Sequence, residues 1–73
     1  MSEFKEEIMV IANLDLFDEA VFYSGESELE AFQKFRTVKG KYQTVNIVKA
    51  EVERGFLKNV PFIIDYKITE ILR

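Results

Sequence analysis

Seventy-three residues, 48% of them hydrophobic and carrying a formal net charge of −3, allow a single domain with a single core. The chain has no cysteine and no histidine, so disulfides and the ordinary ligand sets of zinc, haem and iron–sulfur centres are excluded, and no cofactor is implied. Stability must come from dense apolar packing, to which 7 Phe contribute, or from association with another chain.

In chain order, the segment KEEIMVIANL (5–14) puts Ile8, Val10, Ala12 and Leu14 on one parity and Met9 and Ile11 on the other. A β-branched apolar run of this kind predicts a strand buried on both faces. AVFYS (20–24) predicts a second strand, and the polar stretch from Asp15 to Glu19 predicts the hairpin loop between them. The cluster Asp15, Asp18 and Glu19 matches no calcium-loop spacing and reads as solvated loop, where Asp is favoured.

SGESELEAFQKF (24–35) contains a Ser27…Glu30 capping box, which predicts a helix start. Leu29, Phe32 and Phe35 then share a face, acids crowd the first turn, and Lys34, Arg36 and Lys39 crowd the last, as the helix dipole favours. Gly40 supplies the stop. KYQTVNIVKAEVE (41–53) alternates again, with its apolar side changing midway, so a bulge or two-sided burial is expected. RGFLKNV (54–60) reads as a connection and PFIIDYKITEIL (61–72) as a last strand, with Pro61 at its first residue and Phe62, Ile64, Tyr66, Ile68 and Leu72 on one side. Phe22, Phe32, Phe35 and Phe62 are the expected core aromatics. The expected fold is α+β: a four-stranded antiparallel sheet with one helix, in the order β-β-α-β-β, over residues 1–73.

One helix covers one face of such a sheet. Met9, Ile11, Val45, Ile47, Ile63 and Ile71 lie on the other parity, and need either a strongly coiled sheet or a covering partner. A homodimer is the expected answer.

The functional signals are compositional. There is no Gly-rich phosphate loop, no nucleophile–base pair and no elbow serine, so an enzyme is not expected. Residues 1–30 carry a net −8, residues 31–50 a net +5 with no acid at all, and the remainder is balanced. The basic set Lys34, Arg36, Lys39, Lys41 and Lys49, with Tyr42 available for stacking, suits either an acidic protein surface or nucleic acid. A net −3 lacks the overall basicity of a nucleic-acid binder, and the acidic first third suits a mimic of a phosphate backbone only weakly. Phe17 and Phe56, placed in connections, are candidate partner anchors.

The leading expectation is a small non-enzymatic protein–protein interaction module. It would dock onto a larger partner as a regulator or inhibitor, using Phe17, Phe56, Lys34, Arg36, Lys39, Lys41 and Tyr42. Its size and style fit a phage or mobile-element accessory protein. A nucleic-acid-binding accessory protein is the alternative. The N-terminus lacks the basic region of a secretory signal, and the run from Ile8 to Ala12 is far short of the ~20 residues a membrane helix needs, so a cytoplasmic protein without membrane contact is expected.

Overall fold

The computed structural model describes residues 3–73 and has the expected element order. Strand β1 (Glu3–Ala12) is followed by β2 (Ala20–Gly25), helix α1 (Glu28–Val38), β3 (Val45–Leu57) and β4 (Val60–Ile71). The strands form one antiparallel sheet in the spatial order β2-β1-β3-β4. β1 is therefore central, as its two-sided apolar pattern requires.

Local chemistry sets the helix ends. The Ser27 hydroxyl accepts the Glu30 backbone N–H at 3.1 Å, as the capping box predicts. The reciprocal half is relayed through a tyrosine: the Ser27 N–H donates to the Tyr23 hydroxyl, which donates in turn to the Glu30 carboxylate. At the far end the Lys39 N–H bonds the Phe35 carbonyl, and Gly40 takes a φ of 92°, the left-handed turn that ends the helix. The buried helix face is Ala31, Phe35 and Val38, with Phe32 half-buried. Leu29, expected on that face, is 68% exposed, at the rim of an open groove it lines with Phe32, Ile47, Leu72 and Arg73.

α1 packs on β1, β2 and β3 and leaves β4 uncovered. Beneath it lie Val10 and Ile47, flanked by Ile8, Phe22, Tyr23 and Val45. The opposite face holds a second core of Met9, Ile11, Val48, Ala50 and Val52, each wholly excluded from solvent. No helix covers it. The sheet curls instead, and Leu14, Val21, Ile63, Tyr66 and Ile68 fold in from its margins. Bulges permit the curl: Phe22 is the extra residue in β2, and Ile64 and Thr69 are the extra residues in β4. Each fully buried aliphatic side chain here contributes about 1.5–3 kcal/mol. The covering that Met9 and Ile11 demand is thus supplied within the chain, and only Ile71 of that parity group stands more than half exposed.

Two polar ties hold the curl. The Glu7 carboxylate, 4% exposed, accepts both arms of the Arg54 guanidinium at 2.6 and 2.7 Å and the Ser24 hydroxyl at 2.7 Å, joining β1, β3 and β2. The Tyr66 hydroxyl on β4 donates to the Glu19 carboxylate in the loop before β2, so the two margins of the sheet meet.

The expected connection at 54–60 does not exist as such. β3 runs on to Leu57, and only Lys58 and Asn59 turn, both with positive φ (52° and 67°). This is the geometry of a two-residue hairpin whose twist matches that of the strands it joins. Phe56 therefore lies in a strand, and β4 begins one residue before Pro61.

Candidate functional site

The residues singled out in the sequence do not converge. Phe17 is fully exposed at the tip of the 13–19 loop, next to the start of β3, where the Asn13 N–H bonds the Thr44 carbonyl. Phe56 is half-exposed near the other end of β3. Some 11 residues of strand separate Val45 from Phe56, or roughly 36 Å at about 3.3 Å per residue. Phe17 and Phe56 therefore lie toward opposite ends of the sheet.

Lys34, Arg36, Lys39 and Lys41 lie along the second half of α1 and the turn after it, with Lys34 and Arg36 on different sides of the helix. Lys34 and Arg36 are exposed on α1, Lys39 is its C-cap with the ammonium 5.6 Å from the Phe35 ring centre, and Lys41 is exposed in the turn to β3. Tyr42 packs on one side against Phe22, ring centres 5.2 Å apart at 49°, and keeps 40% of its surface exposed. Lys49 is half-buried on β3. The ion pairs among the described residues are Lys5–Glu26 and Glu7–Arg54, so Lys34, Arg36, Lys39 and Lys41 have no acidic partner. Of the acid-rich first third, Asp15 and Asp18 share this end of the molecule. Glu19 is committed to Tyr66 and to the Asp15 N–H, which together hold its carboxyl below the usual range.

An exposed apolar surface lies elsewhere, on the outer half of the β3–β4 hairpin. Strand pairing places Phe4, Glu53 and Asp65 in one row across β1, β3 and β4, and Glu6, Glu51 and Lys67 in the next. Gly55 and Phe62 form a further row, and Leu57 and Val60 close the hairpin. These rows are on the same face as Val10 and Ile47, which α1 covers, but they lie beyond the helix. Phe4 is 72%, Leu57 68%, Val60 63%, Ile64 49% and Phe62 46% exposed. Phe62, expected in the core, is instead laid over bare Gly55, where an added Cβ would sit 2.8 Å from its Cζ and 2.9 Å from Ile64 Cδ1. α1 makes no contact with β4, so it does not cover Phe62.

Lys67 stands opposite Glu51 on this face, but two of its cross-strand pairs are of like charge. Glu6 stands directly opposite Glu51, and Glu53 directly opposite Asp65. Like charges in cross-strand pairs disfavour the sheet by a few tenths of a kcal/mol to about 1 kcal/mol each. A monomeric fold gains nothing from such pairs, nor from five exposed apolar side chains beside them.

The edge of β4, by contrast, is defended. Pro61 has no N–H to offer, and the Tyr66 N–H is occupied by the Asp65 carboxylate at 2.8 Å. On the outer hairpin the face, not the edge, is left exposed.

Among the described residues no helix is long and apolar enough to cross a membrane. No protein-family model matches this chain, and neither a curated protein nor a solved structure gives a significant match.

Proposed function

We propose that this protein is a protein–protein interaction module that docks onto a larger partner through the outer face of its β3–β4 hairpin, acting by occlusion as a regulator or inhibitor. The observation that carries this reading is the contiguous exposure of Phe4, Leu57, Val60, Phe62 and Ile64 beyond the end of the helix. Contiguous apolar area of this sort on a small domain marks a contact surface. Phe62 and Phe4 are its aromatic anchors, and Phe56 borders it from the other face of β3. Glu6, Glu51, Glu53 and Asp65 select a partner whose docking element carries cations.

The test is capture of partners from native lysate on tagged protein, with elution in a salt gradient and measurement of both protein and nucleic acid. Phe62→Asp is expected to abolish protein capture while the domain remains folded, and Lys39→Glu/Lys41→Glu is expected to preserve it. Capture that survives Phe62→Asp sinks the reading. Nucleic acid retained at low salt and lost on the double lysine reversal would establish the basic end as the working surface instead.

A further inference from the structure

We infer that the hairpin face is also a self-docking surface: a second copy of this chain covers it with the basic end of its α1, in a closed antiparallel dimer. This rests on the reading of the hairpin as a docking surface and names its occupant in the absence of the larger partner. Three features of the molecule combine.

The first is charge. The acidic face (Glu6, Glu51, Glu53, Asp65) and the basic group (Lys34, Arg36, Lys39, Lys41) are both without partners among the described ion pairs. Each is what the other lacks.

The second is distance. The basic turn leads into Val45, which pairs with Ala12, whereas Glu53 lies eight residues further along β3. At about 3.3 Å per residue that is ~26 Å, well beyond the Debye length of ~8 Å at physiological ionic strength. Within one molecule Lys41 and Glu53 cannot neutralise each other. Two copies facing each other with strands antiparallel bring each basic end over the other's acidic face. Both contacts are then made by one two-fold axis, so the assembly closes rather than growing into a fibre.

The third is shape. α1 stands on the sheet at one end, and the same face is bare at the other. In the antiparallel arrangement each helix fills the step beyond its neighbour's helix. Leu29, 68% exposed on α1, gains an apolar surface to meet. The edge-to-edge alternative is opposed by Pro61 and by the Asp65 carboxylate on the Tyr66 N–H.

The experiment is charge-swap complementation on the whole chain, read by light scattering and sedimentation at low salt. Glu6→Lys/Glu53→Lys reverses one member of each like-charge pair, and Lys39→Glu/Lys41→Glu reverses the basic end. Each variant alone is expected to be monomeric where the wild type is dimeric, with dissociation constants raised at least tenfold. Mixed in equal amounts, the two are expected to form a 1:1 heterodimer, because both contacts are then attractive again. Glu6→Lys/Glu53→Lys also turns two repulsive cross-strand pairs into attractive ones, so its melting temperature is expected to rise while its association falls. A mixture that stays monomeric, or a wild type that is monomeric at millimolar concentration in low salt, overturns the self-docking proposal. Neither result touches capture of a larger partner, which Phe62→Asp reports separately.

Discussion

The hydroxyl of Tyr66 on β4 and the carboxylate of Glu19 in the loop before β2 are hydrogen-bonded although 47 residues separate them in the chain. Burial and this bond push the Tyr66 hydroxyl up to about 12, while the same bond holds the Glu19 carboxyl low. A tyrosine raised in the folded state stabilises fully below its unfolded value of about 10, and that contribution is lost as pH rises toward 12. We expect wild-type stability to fall between pH 10 and 12 with a component that is absent in Tyr66→Phe. At neutral pH that variant is expected to lose about 1 kcal/mol, a drop of about 4–8 °C in melting temperature. Equal alkaline sensitivity in both proteins would show that the contact does not clasp the sheet.

Glu7 carries a heavier load because it is buried. The Arg54 guanidinium is the main reason its carboxyl lies below the usual range, against the opposing effect of burial, with Ser24 adding a further hydrogen bond. A lowered carboxyl stabilises above its ordinary value of 4.5 and ceases to as pH falls through the lower folded value, so stability is expected to decline as pH drops below 4.5. Glu7→Ala takes the counter-charge from Arg54, which keeps only the Ser24 carbonyl at 3.4 Å, and is expected to cost about 2–4 kcal/mol by denaturant titration. Replacing both charges, as Glu7→Leu/Arg54→Met, is expected to recover most of that loss, since apolar groups need no partner.

Asp65 has two roles that pull in opposite directions. It repels Glu53 across the pair, yet it occupies the Tyr66 N–H on a strand at the edge of the sheet. Asp65→Ala is expected to change melting temperature little but to raise the rate of thioflavin-positive aggregation, as the freed edge templates other chains. A variant that aggregates no faster than the wild type would assign the edge protection to Pro61 alone.

Gly55 is covered by the ends of Phe62 and Ile64 rather than by backbone, so a methyl group there displaces only flexible side chains. Gly55→Ala is expected to fold, with a stability change within about 1 kcal/mol. It is also expected to lift Phe62 off the strand and alter partner capture through the hairpin more than it alters stability. Unchanged capture would place the contact away from Phe62.

The parts of the fold that were legible in the sequence are those decided locally. Ser27 and Glu30 announce the helix start through three bonds of one turn, and the alternation of Ile8, Met9, Val10 and Ile11 makes β1 a strand wanted on both sides. The hairpin at Lys58–Asn59 was hidden because its turn lacks the glycine that usually marks such a reversal, so RGFLKNV reads as loop. β4 defeats a parity argument because the bulges at Ile64 and Thr69 each move the following residues to the other face. The same holds for the candidate surface. Phe17 and Phe56 were visible as aromatics without a clear place in the core. The meeting of Glu6 with Glu51 and of Glu53 with Asp65 depends on a register that no single strand encodes.

The central position of β1 also has a consequence in time. Its hydrogen-bonding partner on one side, β2, follows within a few residues, but its partner on the other, β3, is made only after the helix. A nascent chain ending near Gly40 carries Met9 and Ile11 on a strand with one open edge and one open face. Folding must wait for β3 and β4, whose contacts close loops of tens of residues. The protein is then expected to fold in one late step, once β3 and β4 are present.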